Sequence, residues 1–158
     1  MKIRKRKKNP NVMESIEERQ STKVKSEDRV SLELSKDIHA NIEKFQAFLK
    51  ESTDSVFRKF KFSSIGIDCA IVYMDGLIDK NVIHEMILKP MMFEVSEFES
   101  LSETKIDAEG AYDYVLNHVV SVADINEAET LDKAILPVLS GEVALMIDGF
   151  DKIIIISA

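Results

Sequence analysis

Residues 53–92 constrain the fold of this chain most strongly, because three different periodicities follow one another there. Across Val56–Phe62, apolar residues alternate with lysines, which is the two-residue period of a half-buried strand. The run Ala70–Met74 is apolar throughout and ends in Asp75-Gly76, as expected for a strand covered on both faces. Helical spacing of apolar residues follows over 80–89, and Pro90 is expected to end that helix. A strand, a second strand and a helix in this order predict an α/β fold.

The remaining segments extend this pattern in both directions. Leu34–Leu49 carries apolar residues on one helical face, with Ser31 or Ser35 as candidate cap. Downstream, the patterns predict a helix after Asp107, a strand at Val119–Ile125, a helix capped by Asn126, and strands at Val143–Ile147 and Lys152–Ser157.

This organisation predicts two small sheet-plus-helix subdomains with mixed sheets. We expect residues 1–30 to form a disordered basic tail, 31–92 the first α/β subdomain, 93–106 an acidic linker and 107–158 the second subdomain. With 158 residues and 45% hydrophobic content, the chain is large enough for a real core. No apolar run approaches the ~20 residues needed to span a bilayer.

The tail differs in charge from the remainder of the chain. It holds ten Lys or Arg against five Asp or Glu, whereas residues 31–158 hold eleven against twenty-three. The basic residues near its start are Lys2, Arg4, Lys5, Arg6, Lys7 and Lys8. They form either a solvated terminus or a group attracted to anionic lipid headgroups. No aromatic residue lies among them, which argues against binding to nucleic acid.

Arg58 falls on the apolar side of the first predicted strand. A guanidinium on that side needs a partner, because an unpaired buried charge is costly. Asp54 and Asp75 are the candidates for an internal salt bridge, and the anionic group of a ligand is the alternative.

No segment carries a recognisable catalytic centre. The three histidines lie far apart without metal-ligand spacing, and the five glycines form no phosphate-binding loop. Cys69 adjoins an apolar run, where a free thiol behaves as a small hydrophobic group. Four aspartates either gather into a cation site or serve as turn and cap residues: Asp75, Asp79, Asp148 and Asp151. We therefore expect no enzyme activity, no metal and no cofactor.

Four segments follow one another in a characteristic order between about Leu34 and the C-terminus: LSKDIHANIEKF, STDSVFRKFKF, AIVYMDGLIDKNVIHEMILKPMM and LSGEVALMIDGFDKIIII. Their characteristic positions are Ser52, Asp54, Arg58, Tyr73, Asp75, Gly76, Leu77, Asp79, Pro90, Leu139, Ser140, Gly141, Asp148 and Gly149. This ordered combination resembles the cytosolic N-terminal region of the A subunit of spore germinant receptors, the GerA family.

This resemblance implies a non-catalytic domain, soluble on its own, on the cytosolic side of a receptor complex at the spore inner membrane. It implies a transporter-like B subunit and a lipoprotein C subunit as partners, together with self-association of A subunits. Members of the family continue into membrane helices, so we expect the second subdomain to be incomplete after Ala158.

Two functions follow from the resemblance. In the first, the domain senses or couples nutrient-triggered germination and binds a small germinant between its halves. The candidate ligand-binding residues are then Arg58, Asp54, Asp75 and Asp148. In the second, it is an assembly module that binds sister subunits without a ligand of its own. An unrelated nucleotide-handling enzyme is a third reading. A polar cleft would favour the first function and an exposed apolar patch the second.

Overall fold

The computed structural model describes residues 32–62, 65–94, 107–119 and 124–157, which contain five strands and four helices. The strands are β1 Ser55–Phe62, β2 Ile67–Met74, β3 Asp124–Ala128, β4 Val143–Ile147 and β5 Ile153–Ser157. Helix α1 is Ile38–Phe48 and helix α4 is Leu131–Leu139. Helix α2 begins as Lys80–Ile83 and continues in π-helical turns at His84–Leu88 and Pro90–Glu94. Helix α3 begins as Ala108–Tyr114 and continues in a π-helical turn at Val115–Val119.

All five strands form one sheet in the order β1-β2-β4-β5-β3, and every neighbouring pair is antiparallel. The predicted α/β fold is confirmed, and so is the pairing of β1 with β2. Instead of two mixed sheets there is one, because β2 pairs with β4 from Cys69↔Ile147 to Val72↔Ala144. This pairing buries two strongly apolar segments of the sequence side by side. The predicted boundaries of tail, linker and subdomains remain predictions, and residues 1–31 and 95–106 lie outside the described residues.

Helices cover both faces of the sheet, which explains why polarity does not alternate in β2 and β4. Helices α2 and α3 pack on one face and build a core that includes Phe62, Ile71, Ile87, Met91, Tyr112, Leu145 and Ile154. Helices α1 and α4 pack on the other face, in a core that includes Phe45, Val72, Leu131, Ile135, Met146 and Ile155. The predicted helices at 34–49 and 80–89 therefore lie on the β1–β2 sheet, but on opposite sides of it.

Helices α1, α2 and α3 each begin at an aspartate. The Asp37 carboxylate accepts from the His39 N–H at 2.8 Å, and the Asp79 carboxylate accepts from the Asn81 N–H at 2.8 Å. The Asp107 carboxylate accepts from the Gly110 N–H at 2.9 Å. These bonds satisfy donors that the first helical turn leaves open. The helices expected directly after Asp79 and Asp107 are confirmed, and each aspartate is the cap of its helix. Asp37 takes the role predicted for Ser31 or Ser35, since α1 begins at Ile38 rather than at Leu34.

Pro90 does not end α2, contrary to the sequence prediction. The chain remains helical through Glu94, because wider π-helical turns lie on both sides of the proline and accommodate its missing N–H. Met91 is fully buried, and this last turn packs against β1. Packing of an apolar side chain thus overrides the local stop signal.

Asn126, predicted as a helix cap, lies within β3 opposite Ile155. Helix α4 begins after Thr130 instead. The strand predicted at 119–125 is therefore displaced, because Val119 still belongs to the helical turn after α3. Three of the five β3 side chains are polar and exposed, so the segment lacks the apolar alternation on which the prediction depended.

Candidate functional site

Two turns that carry the sequence motifs meet at one end of the sheet. The turn after β2 contains Asp75-Gly76-Leu77, and the turn before β4 contains Ser140-Gly141. Gly141 lies directly against Leu77, since a Cβ on Gly141 would stand 3.2 Å from the Leu77 carbonyl oxygen. The φ angles of Gly76 and Gly141 are +83° and +97°, which favour glycine at both positions.

Three exposed leucines surround this junction, and we call Leu77, Leu136 and Leu139 the leucine corner. Their exposed fractions are 58%, 67% and 45%. Leu136 and Leu139 are three residues apart on α4 and therefore share one side of the helix. Phe48, which is half exposed, is the last residue of α1. Six residues later the chain reaches the same end of the sheet at Asp54, whose carbonyl accepts from the Asp75 N–H at 2.7 Å. Apolar surface is thus concentrated at this end of the sheet.

The polar side chains of the same junction already have partners within the chain. Both carboxylate oxygens of Asp75 accept from the Lys80 ammonium, at 2.9 and 3.0 Å. The hydrogen bond from Lys80 lowers the pKa of Asp75, and the same bond raises the pKa of Lys80. Asp79 is occupied as the cap of α2, and the Ser140 hydroxyl donates to the Leu136 carbonyl at 3.0 Å. The junction therefore presents the three exposed leucines beside polar side chains that already have partners within the chain.

Arg58 lies on the predicted face of β1, together with Phe60 and Phe62, but its side chain is exposed. It stands opposite Ile71 on β2. Within the described residues it forms no ion pair with Asp54 or Asp75. Asp75 pairs instead with Lys80, which is the first residue of helix α2.

Asp148 lies at the opposite end of the sheet from Asp54 and Asp75. Its backbone N–H donates to the Asp68 carbonyl at 2.9 Å, and its carboxylate accepts from the Ile38 N–H at 3.1 Å. Six residues of β2 separate that end from Asp75, which corresponds to roughly 20 Å. The four predicted ligand-binding residues therefore do not converge on one cleft, and their role stays a prediction.

A polar groove of about 480 Å³ lies beside the Asp148-Gly149 turn. Its lining includes Lys36, Asp107, Glu109, Gly149, Phe150, Asp151 and Lys152. Gly149 contacts the start of α3, because a Cβ there would stand 2.7 Å from the Ala108 Cβ. Its N–H also donates to the Lys36 carbonyl at 2.7 Å, so the turn joins the starts of α1 and α3.

Cys69 is 1% exposed in β2. Burial raises the pKa of its thiol from 9.0 to about 12, so the thiolate needed for nucleophilic chemistry is not formed near neutral pH. Across the described residues, no three side chains of metal-binding type lie close enough to share an ion. No helix within the described ranges is long and apolar enough to cross a bilayer.

The sequence model of the Bacillus/Clostridium GerA spore germination protein family matches residues 43–158, which include every residue of the leucine corner. The chain belongs to the GerA family of spore germination proteins. The resemblance inferred from the motifs is confirmed, while residues 1–42 lie outside the matched range.

Two relatives within the GerA family illustrate the extent of the similarity. Spore germination protein KA of Bacillus subtilis is 24% identical over 125 residues, which cover 78% of this chain and 21% of the relative. Spore germination protein GerLA of Bacillus cereus is 21% identical over 127 residues, or 80% of this chain and 24% of the relative. The chain therefore spans less than a quarter of the length of these two proteins.

The fold matches a solved structure, the N-terminal domain of the A subunit of the Bacillus megaterium spore germinant receptor GerK3. The TM-score is 0.68 at 20% sequence identity, over 82% of this chain and 49% of that chain. At this identity the match establishes the fold.

Sequence reasoning singled out Leu77 and Leu139 only through the resemblance, and it missed Leu136 altogether. A signal was present: the buried face of α4 is formed by Leu131, Ile135 and Val138, and Leu136 falls outside that spacing. An apolar residue on the polar side of a helix is the pattern that an exposed contact surface leaves in a sequence.

Proposed function

We propose that this domain acts without catalysis, on the cytosolic side of a germinant receptor, and couples nutrient-triggered germination by binding a sister subunit. The observation that carries the proposal is the leucine corner. Both of its turns belong to the motifs shared with the family, and its polar side chains are satisfied internally. The B and C subunits are the candidate partners.

The energetics favour a protein partner. A fully buried leucine contributes about 1.5–3 kcal/mol, and the three leucines expose 58%, 67% and 45% of their surface. Covering them would yield about 3–5 kcal/mol before the costs of association. The burial of Cys69 argues against catalysis by a thiol nucleophile, because the chain has no other thiol.

The proposal is tested by Leu77→Gln and Leu136→Gln in spores whose receptor carries this chain. Met86→Gln is the matched control, since Met86 is 40% exposed on α2 and lies outside the corner. We expect the two leucine variants to fold normally. Purification of the variant A subunit should recover less of the B and C subunits, and the spores should lose the nutrient response. Normal recovery and a normal response in both leucine variants would overturn the proposal.

A second candidate function is direct binding of a nutrient in the groove beside Gly149. Lys36 and Lys152 line it together with carboxylates, so it offers both charge signs to the carboxylate and ammonium of an amino acid. The Lys152 ammonium already forms an ion pair with the Glu127 carboxylate at 3.0 Å, which weakens this candidate. Calorimetric titration of the wild type and of Lys36→Met with L-alanine tests this candidate. Equal heats of binding for the two proteins would exclude the site.

The basic segment Lys2–Lys8 lies outside the described residues, and its attraction to anionic lipid remains a proposal from sequence. Each basic residue near a membrane surface contributes about 1 kcal/mol, and salt weakens the attraction. Co-sedimentation with phosphatidylserine vesicles should fall when these residues are replaced by glutamine. Equal co-sedimentation of both chains would remove this role.

A further inference from the structure

A second groove, rich in carboxylates, lies where the described chain begins. Its volume is about 330 Å³, and its lining includes Glu33, Leu34, Glu129, Asp151 and Lys152. We call these five residues the acidic groove, since three of them are carboxylates and only one is a lysine. The acidic groove adjoins the polar groove beside Gly149, with which it shares Asp151 and Lys152.

Carboxylates outnumber the cations that surround the acidic groove. Lys152 pairs with the Glu127 carboxylate of β3 at 3.0 Å and lies 3.9 Å from Glu129. Lys44 donates to the backbone carbonyl of Glu33. The three carboxylates of the groove, together with Glu127, thus stand against these two ammonium groups, and negative charge remains. A lysine or arginine side chain is the ligand that this charge favours.

A buried hydroxyl behind the groove also lacks a donor. Tyr112 is 2% exposed, and its hydroxyl forms no hydrogen bond of ordinary geometry with the described residues. Burial raises the pKa of Tyr112, and the neighbouring Glu127 carboxylate raises it further, so the hydroxyl stays protonated at neutral pH. A protonated hydroxyl still accepts hydrogen bonds. Tyr112 therefore adds an open acceptor beside the Glu127–Lys152 pair, which again suits a cationic donor.

The chain carries a basic ligand of its own close to this groove. Residues 1–13 contain six Lys or Arg and no Asp or Glu. Leu32 is the first described residue, and its carbonyl accepts from the Leu131 N–H at 2.8 Å. The next residue, Glu33, bridges Thr130 and belongs to the lining of the groove. The chain therefore enters the described fold at the rim of the acidic groove.

We propose that the basic segment Lys2–Lys8 binds in the acidic groove of its own chain. Lys8 and Leu32 are 24 residues apart, a connection that spans at most about 80 Å. Five strands side by side extend only about 20 Å, so length does not restrict the contact. Tethering raises the local concentration of the segment at the groove. Because the contact is electrostatic and lies at the surface, it weakens as salt rises.

This contact competes with the attraction of the same segment to anionic lipid. The six basic side chains cannot engage the carboxylates of the groove and lipid headgroups at once. The groove therefore holds the segment until a sufficiently anionic surface is near, which makes lipid binding by this chain regulated. The contact does not involve the leucine corner, so it stands or falls separately from the binding of a sister subunit.

Paramagnetic relaxation measured on the full chain tests the contact. A nitroxide label is attached to Asn9→Cys, next to the basic segment, and the native Cys69 does not compete for the label because it is 1% exposed. We expect the amide signals of Glu33 and Lys152 to lose intensity at about 50 mM salt and to regain it at about 500 mM. Full intensity at low salt would overturn the proposal.

A mixture of chains distinguishes binding within one chain from binding between copies. Isotope-labelled chains without the nitroxide are mixed with spin-labelled chains that carry no isotope. We expect the signals of Glu33 and Lys152 to keep their intensity in this mixture. A loss as large as that in the doubly labelled chain would assign the contact to neighbouring copies and reject the proposal.

Charge reversal in the groove is compared with a matched reversal elsewhere. Glu129→Lys with Asp151→Lys should abolish the loss of intensity at Glu33. Glu51→Lys with Asp54→Lys changes the net charge equally, at exposed positions near the opposite end of the sheet, and should behave like the wild type. Circular dichroism checks that both variants fold. Equal behaviour of the two variants would show that the signal follows net charge and would overturn the assignment to the groove.

The basic side of the contact is tested in the same way. Replacing Lys5, Arg6 and Lys7 by glutamine should restore the signals of Glu33 and Lys152 at low salt. A loss of intensity that persists in this variant would mean that the basic segment is not the occupant of the groove.

Phosphatidylserine vesicles test the competition separately. The groove variant Glu129→Lys with Asp151→Lys should bind vesicles at least about threefold more tightly than the matched control, because its basic segment is always available. Equal binding of the two variants would reject the competition. If neither variant binds vesicles, the lipid role of the segment is removed, whereas the relaxation measurements still decide whether it binds the groove.

Discussion

Gly141 packs against Leu77 so closely that an added Cβ would lie 3.2 Å from the Leu77 carbonyl oxygen and 3.4 Å from its Cβ. This contact joins the turn after β2 to the turn before β4, which are separated by more than sixty residues in the sequence. The two motifs that carry the family resemblance are therefore parts of one surface. The contact also holds Leu77 beside the end of α4, where it contributes to the leucine corner.

Gly141→Ala should destabilise the domain by about 2 kcal/mol, because the substitution adds a close contact to a φ of +97° that side chains rarely adopt. Gly66→Ala is the matched control. Gly66 has a φ of +72° with no atom near its missing Cβ, so only the conformational cost of about 1 kcal/mol applies. Urea unfolding of both variants checks the difference. Equal losses would show that the contact with Leu77 carries no energy.

The local elements were predicted where one physical signal dominates. Alternation in β1 and a continuous apolar run in β2 predicted the ends of both strands to within three residues. The turns expected at the two Asp-Gly pairs are also observed, since Gly76 and Gly149 have positive φ angles of +83° and +88°. At these positions the backbone conformation depends on the residue itself.

The arrangement of these elements was not predictable in the same way. The apolar segments of β2 and β4, which look like a repeat in the sequence, pair directly with each other in antiparallel register. This register places the two Asp-Gly turns at opposite ends of the sheet, so Asp75 and Asp148 cannot share a cleft. Pairing between segments some seventy residues apart is decided by burial in the complete core, which no local pattern records.

Phe45→Ala should lower the free energy of unfolding by about 3–5 kcal/mol, because Phe45 is fully buried beneath α1. Phe48, on the same helix, is 50% exposed, and Phe48→Ala should cost less than about 1 kcal/mol. Chemical denaturation of the two variants measures the contrast. Similar losses in both would mean that α1 is not oriented on the sheet as described.

Asp148→Ala should cost about 1 kcal/mol, because the Ile38 N–H then loses its acceptor at the start of α1. Asp148→Asn keeps a side-chain oxygen at that position and should lose less than half as much. Asp151→Ala, an exposed change in the same turn, should stay within about 0.5 kcal/mol of the wild type. Thermal unfolding ranks the three variants. If Asn and Ala at position 148 are equally destabilising, the carboxylate acts through its charge rather than as an acceptor for α1.

Cys69 predicts a specific loss of stability at alkaline pH. Burial raises the pKa of its thiol from 9.0 to about 12, so the folded chain keeps a proton that the unfolded chain releases above pH 9. A pKa that is raised on folding contributes stability that is complete below the unfolded value and is lost as the pH rises toward the folded value. The free energy of unfolding of the wild type should therefore fall, relative to Cys69→Ala, by about 1.4 kcal/mol for each pH unit above 9. Urea titrations of both chains at several pH values between 8 and 11 measure this difference, in which the titration of lysines and tyrosines cancels. Parallel pH profiles for the two chains would mean that the thiol ionises as readily in the folded chain as in the unfolded one, in conflict with its burial in β2.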